Sequence, residues 1–303
     1  MSDIPTKILL ATDGSPDAVL ASRAAAELSN RSGSELHVVH AWQAPTHSTY
    51  EPTSKVEYPL LQKLLAQELL EEQLERLEAL GATVTRAHLR RGGPAEEIID
   101  LSEKLEADLL IVGSQGLGTI TSLVLGSVSE KVAYLASRPT LVVRGQGAGA
   151  WLPRRVLIGD DSSEGARRAA GAAVNIAKLF EAQVVLVRTG YPEPQLTLHA
   201  QAGQSLRAQR EREVLERMHE KKRIKKALEK RADELEGSLG RRPAVRAAVG
   251  DAATFILEVA AEVEEATLIA VGSRGLGTVK SIMLGSVSRK VLRGASAPVL
   301  IAP

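Results

Sequence analysis

GSQGLGTITSLVLGSVSEKV, residues 113–132, returns as GSRGLGTVKSIMLGSVSRKV at residues 272–291, 159 positions later. A phrase of this length, repeated once at domain spacing, marks two like domains in tandem and not a solenoid of short stacked units. A second pair of phrases widens the match. KILLATDGS at residues 7–15 returns as RVLIGDDSS at residues 155–163, with Asp13 and Asp161 in register 148 positions apart. The two offsets differ by 11 residues, so the second copy carries an insertion of that size between the phrases.

Within each copy, short β-rich runs alternate with longer helix-like stretches, the order of βα units around a parallel sheet. The runs are 7–11, 35–40, 83–89, 108–112 and 140–143 in the first copy, and 156–159, 183–188, 244–249, 267–271 and 299–301 in the second. Their nearly continuous Val, Ile and Leu content suits strands covered on both faces. The expected fold is α/β: two tandem Rossmann-like domains, each a five-stranded parallel sheet with helices on both faces, the final strand a candidate for an edge. The domains are expected at 1–145 and 154–303, with a glycine-rich linker at 146–153. A chain of 303 residues that is 44% hydrophobic can fill two such cores. After Asp13, Ser15-Pro16 reads as the cap and first-turn proline of a helix that stops at Gly33.

The insertion falls within 196–237, where Val214, Met218, Ile224, Leu228 and Leu235 recur at helical spacing. Its basic cluster, Lys221, Lys222, Arg223, Lys225 and Lys226, is flanked by acidic residues and reads as the solvated face of a long helix, with partner docking as the alternative. With 38 basic and 37 acidic residues, the chain has no global field to recruit nucleic acid or an anionic membrane. The absence of cysteine excludes disulfides, thiolate metal sites and a cysteine nucleophile. No secretory signal pattern opens the chain and no apolar run reaches about 18 residues, so a cytoplasmic protein without membrane contact is expected.

The repeated phrase has the form G-x2-G-x9-G-S: Gly113, Gly116, Gly126 and Ser127, then Gly272, Gly275, Gly285 and Ser286. It begins where a strand ends, and in an open parallel sheet ligands bind beyond the carboxyl ends of the strands. Glycine there lets backbone N–H groups approach an anion. Gly126-Ser127-Val128-Ser129 and Gly285-Ser286-Val287-Ser288 precede helices expected at 130–136 and 289–294, whose N-terminal amides favour phosphate. Other phosphate motifs fit worse. A P-loop needs Lys-Ser or Lys-Thr where Thr119-Ile120 and Thr278-Val279 stand, and the dinucleotide fingerprint lacks its third glycine at Thr121. One such loop alone is an ordinary turn and helix cap; its duplication, down to the paired serines, points to phosphate. Asp13 and Asp161, at the end of each first strand, either cap the following helix or reach a ribose or a phosphate-bound magnesium ion. The six histidines form no metal or catalytic pattern; His37 and His40 fall on opposite faces of one strand.

These phrases resemble the universal stress protein family, in its ATP-binding branch, over nearly the whole chain and twice. The resemblance implies strand order 3-2-1-4-5, adenine against the backbone near Ala41 or Thr189, Asp13 and Asp161 near ribose or metal, and the motif glycines and serines around the phosphates. It implies ATP with Mg2+ as the ligand, and pairing through the last strands, so that the copies form a dimer-like unit, with a further homodimer as an option. Two departures affect the second copy: Asp160 replaces Thr12 beside the site aspartate, an added negative charge for magnesium or Arg274 to offset, and the insertion lies in a crossover where it would cover or crowd the site. The function implied is a nucleotide-binding stress-response regulator or sensor. Slow ATP hydrolysis or autophosphorylation on Ser127, Ser129, Ser286 or Ser288, and an interaction scaffold with silent sites that docks an unidentified protein, are the alternatives. Phosphoryl transfer requires a positioned nucleophile and charge stabilisation, and the sequence supplies only the phosphate cradle and the aspartates.

Overall fold

The computed structural model describes residues 4–43, 57–116, 125–145, 151–191, 206–263, 266–273 and 284–303. The first half runs β1 (Lys7–Ala11), α1 (Pro16–Ser32), β2 (Glu35–Trp42), α2 (Glu57–Ala79), β3 (Val84–Arg91), α3 (Pro94–Lys104), β4 (Leu109–Gly113), α4 (Ser127–Leu135) and β5 (Thr140–Val143). The second repeats it as β6 (Arg155–Gly159), α5 (Glu164–Leu179), β7 (Gln183–Gly190), α6 (Leu206–Leu239), β8 (Ala244–Val249), α7 (Ala252–Ala261), β9 (Thr267–Gly272), α8 (Ser286–Gly294) and β10 (Val299–Ala302).

Each half has the strand order expected of it, but the ten strands form one sheet: β3-β2-β1-β4-β5-β10-β9-β6-β7-β8. The halves join where β5 meets β10 antiparallel, with Val142 opposite Val299, Leu141 opposite Leu300 and Thr140 opposite Ile301. The final strand of each copy is therefore not at an edge; the edges are β3 and β8. Pairing β5 with β10 satisfies backbone groups that an edge would leave open to another chain.

Two apolar layers cover the sheet. One face carries α1, α2, α5 and α6 through Leu28, Leu77, Ile176 and Leu228 against Ile8, Leu36, Ile158 and Leu186. The other carries α3, α4, α7 and α8 through Ile98, Val132, Ile256 and Val291 against Leu9, Leu110, Leu157 and Ile269. Strand residues alternate between these layers, as the two-residue period of a strand requires. Helix α1 begins as its sequence dictates: the Ser15 side chain accepts a bond from the Ala18 amide, Pro16 occupies the first turn, and Gly33 closes the helix at φ 70°. Helices α4 and α8 start three residues before the expected positions, with Gly126 and Gly285 as their N-caps. Ser127 and Ser286 thus stand at the first helical position.

The insertion lengthens α6 to 34 residues against 23 for α2. Because its buried side chains belong to the α1/α5 layer, its described part lies across the sheet from α7 and α8. At the carboxyl end of β7 it comes close enough that a Cβ on Gly190 would meet Ile224 at 2.8 Å, and residues 274–283 of the second site lie outside the described residues. Lys221, Lys222, Lys225 and Lys226 are exposed while Ile224 and Leu228 are buried, the solvated face read from the sequence.

Candidate functional site

Three chain segments build the first site beyond the carboxyl ends of β1 and β4. The segment after β1 is locked first: the Thr12 amide bonds to the Val39 carbonyl at 3.0 Å, Gly14 turns at φ 77°, and the Ser15 amide donates to Asp13 Oδ1 at 3.0 Å. Asp13 therefore does brace the turn before α1, while Ser15 is the actual helix cap. Ser15 Oγ also donates to the Gln115 carbonyl at 2.9 Å, which ties this turn to the segment after β4.

That second segment is pinned by α1. A Cβ on Gly113 would stand 2.7 Å from the Asp17 carbonyl carbon and 2.8 Å from the Ala18 nitrogen, so the first motif glycine lets strand and helix backbones touch. The Asp17 carboxylate receives the Ser114 hydroxyl and, at 3.1 Å, the Gln115 amide. Gly116 has a different neighbour, since a Cβ there would meet Asp13 Oδ2 at 2.6 Å. The third segment returns with the Gly126 amide on the Ser114 carbonyl at 2.8 Å, then enters α4.

No side chain caps α4. Its opening N–H groups, at Ser127, Val128 and Ser129, lie beyond the reach of the helix's own carbonyls and carry the positive end of its dipole. Ser127 is exposed; Ser129 is buried, and its hydroxyl donates to the Gly113 carbonyl at 2.5 Å. The expected phosphate donor at Ser129 thus has its proton committed to the end of β4. These segments line a cavity of about 470 Å³, with Ala41, Ile98, Val112 and Val128 on its apolar side and Asp13, Gln115, Gly116, Gly126 and Ser127 on its polar side. A volume of this size suits a small-molecule ligand.

The second half repeats the frame with altered contents. The Ser163 amide donates to Asp161 Oδ1 at 2.9 Å, and Ser163 caps α5 through the Ala166 amide at 3.1 Å. A Cβ on Gly272 would stand 2.5 Å from the Gly165 carbonyl carbon, and Ser288 Oγ donates to the Gly272 carbonyl at 2.5 Å. The Gly285 amide reaches the Ser273 carbonyl at 2.7 Å, and Ser286 and Val287 open α8 as Ser127 and Val128 open α4. Thr189 stands at the position of Ala41, near the end of β7. Arg274 and Gly275 lie outside the described residues.

The added charge of Asp160, expected to be offset by magnesium or Arg274, meets a cation of α6. The Asp160 side chain is buried and bonds to the Ser162 amide at 2.7 Å and to Arg231 Nε of α6 at 3.3 Å. The equivalent pair in the first half is neutral: Thr12 Oγ1 donates to Gln73 Oε1 of α2 at 3.3 Å. An acid and a base have replaced a hydroxyl and an amide together, so the compensating cation is Arg231. Sequence reasoning passed over this pair because Gln73 and Arg231 sit in helices far from any motif; aligning the buried periodicity of α2 and α6 brings them into register.

Among the described residues no group of three or more His, Asp or Glu side chains could hold a metal ion. Among the described residues no histidine lines the cavity: His37 and His88 stack at 5.4 Å between ring centroids, and His40 Nδ1 lies 2.8 Å from the Thr12 carbonyl. Burial, and after it the neighbouring His37, holds His88 down at about 4, so it is neutral at physiological pH. No helix among the described residues is long and apolar enough to cross a membrane.

Comparisons with known proteins agree with this architecture. The sequence profile of the universal stress protein family matches residues 5–144 and again residues 153–303. A universal stress protein of Thermus aquaticus, from the QAH/OAS sulfhydrylase 3' region, is 39% identical over 141 residues, which is 45% of this chain and 97% of that protein. The universal stress protein YxiE of Bacillus subtilis is 30% identical over 146 residues, 46% of this chain and 98% of its own length. The crystal structure of a universal stress protein from Archaeoglobus fulgidus covers 98% of this chain and 95% of its own at 24% identity and a TM-score of 0.67, a likeness of fold. With the family's sequence profile matched over two tandem segments and its fold shared, this chain belongs to the universal stress protein family.

Proposed function

We propose that the first site binds an adenine nucleotide, ATP with Mg2+, that the second does so by repetition, and that occupancy regulates the protein's associations in a stress response. The observation that carries this reading is the convergence, in one cavity, of the uncapped N-terminus of α4, Gly116 and Asp13. The amides of Ser127 and Val128, with the Ser127 hydroxyl, would hold phosphate oxygens. Ala41 and Ile98 supply apolar contact for the base. Asp13 Oδ1 is engaged by Ser15 and Oδ2 lies beside Gly116, from where the carboxylate would meet a ribose or a magnesium ion carried in by the phosphates. Bound Mg2+ would neutralise part of the phosphate charge.

The cavity lining contains one carboxylate and no histidine, lysine or arginine among the described residues. Phosphoryl transfer needs more than this set around the transferred group, so the lining favours binding over turnover. Binding then regulates through a difference in affinity between two states of the protein or its complexes.

Calorimetric titration with MgATP tests the reading, using Ser127→Asp and Ser286→Asp. Both positions are exposed at the first turn of a helix, where a carboxylate favours the helix dipole, so folding is retained. The same carboxylate repels phosphate. The expected result is two sites per wild-type chain, one lost with each variant at an undiminished melting temperature; a wild-type chain that takes up no MgATP defeats the reading.

A further inference from the structure

We propose that Arg293, in the second half of the chain, is a positioning residue for the nucleotide site of the first half: by holding and neutralising Glu130 it leaves the N-terminus of α4 able to accept an anionic ligand. This inference rests on the nucleotide reading of that site.

Glu130 is the fourth residue of α4 and follows Ser129, which lines the cavity. A carboxylate in a first helical turn interacts with the same positive helix end that phosphate would use, and it repels phosphate. The neighbouring cation of the first half does not offset it, because Lys131 is paired with Glu96. The compensation crosses the seam instead. Arg293, in the last turn of α8, donates to Glu130 Oε1 from Nε at 3.1 Å and from Nη2 at 2.5 Å, and the Tyr134 hydroxyl donates to the same oxygen at 3.0 Å. A second arginine of α8, Arg289, places its guanidinium carbon 5.9 Å from the centroid of the Tyr134 ring.

The repeat shows that this arrangement is a divergence within paired positions. At the 159-residue offset, Glu130 corresponds to Arg289 and Tyr134 to Arg293, so SVSEKV in α4 faces SVSRKV in α8. The helix whose first turn carries an acid meets the helix whose equivalent turn carries a base. The first turn of α8 carries no acid, and Arg289 stands where α4 has Glu130, so α8 needs no cation from the first half to accept phosphate. The dependence therefore runs one way, from the first site to the second half, through helices that each start at a candidate phosphate cradle.

The test is MgATP titration of the full-length chain with the second site silenced by Ser286→Asp. In that background Arg293→Gln, which leaves Glu130 charged, should weaken the first site about fivefold, an effect that shrinks as salt is added. Glu130→Gln alone should bind at least as tightly as its parent, the double variant should recover the parent affinity, and Arg293→Lys should recover part of it. Rescue by the double variant separates electrostatics from architecture, since both variants lack the ion pair that crosses the seam. An Arg293→Gln chain with unchanged affinity, or a double variant as weak as the single one, overturns the role of Arg293 while leaving the nucleotide reading standing. A wild-type chain that does not bind MgATP removes both.

Discussion

The two halves share a backbone frame and differ in what holds it. Both start a helix at a serine cap after a turn braced by an aspartate, both pass a glycine against the first turn of that helix, and both clamp the strand end with a buried serine hydroxyl. Behind the turn, however, the first half has Thr12 with Gln73 and the second has Asp160 with Arg231. In the turn itself the first half has Gly14 at φ 77°, and the second has Ser162 at φ 67° with its hydroxyl bonded to Arg188 at 2.6 Å. Duplication has preserved the groups that shape the loop. The groups that support it have changed in pairs, which is how a buried position can change charge without an uncompensated ion.

The sharpest way to break that comparison is to remove the supporting cation. Arg231→Ala leaves the buried Asp160 carboxylate with the Ser162 amide but without its counter-ion, and should cost about 3 kcal/mol of stability in urea unfolding. Gln73→Ala, at the equivalent place, loses one neutral hydrogen bond and should cost about 1 kcal/mol. The combined Asp160→Thr, Arg231→Gln chain makes the second half resemble the first and should recover most of the loss. Equal costs for the two single variants would show that the charge behind the second site is solvated, contrary to its burial.

A smaller effect separates the glycines that the repeated phrase treats alike. A Cβ on Gly113 or Gly272 meets helix backbone at 2.7 Å or 2.5 Å, whereas a Cβ on Gly116 meets only the carboxylate tip of Asp13. Alanine at either of the first two should cost about 1–3 kcal/mol, by similar amounts in the two halves, because strand and helix must separate. Gly116→Ala should cost less stability, its effect falling on the position of Asp13. If Gly113→Ala is tolerated without loss of stability, the close approach of α1 to β4 is not what this glycine serves.

This division among the glycines shows what the sequence made legible. The alternation of strands and helices, the parallel sheet it implies and the caps Ser15 and Gly33 followed from local patterns, while the strand order came with the family resemblance. The duplicated phrase located the cavity rim, which Gly113 and Ser129 line, but it did not show that the same residues also join strand to helix. A glycine that admits a neighbouring helix and one that admits an anion are the same residue type at the end of a strand; only the packing tells them apart. The pairs Thr12–Gln73 and Asp160–Arg231 were hidden for another reason, since each joins a strand end to a helix about 60 or 70 residues away. The merging of ten strands into one sheet through β5 and β10 is the pairing of last strands that the family resemblance implied; as a contact between copies, it is not encoded in the local patterns of either one.

The mildest difference between the halves lies at the start of their third helices. Helix α7 is capped by Asp251, which accepts the Thr254 amide at 2.9 Å, while α3 is capped by Gly93 without a side-chain bond. The Thr254 amide, and after it the Lys290 ammonium at 3.0 Å, hold the Asp251 carboxyl at about 2, below its ordinary 3.8. A carboxyl lowered by folding stabilises the protein above its unfolded value and loses that advantage as the pH falls through the folded one. Asp251→Ala should therefore lower stability at neutral pH by about 1 kcal/mol, the usual value of a helix cap. The gap to wild type should narrow below pH 4 and close near pH 2. Thermal melts of the two chains across that range test it, and a gap that stays constant would mean that Asp251 acts by shape and not by charge. Nothing comparable should appear on replacing Gly93, whose helix takes no charge from its cap.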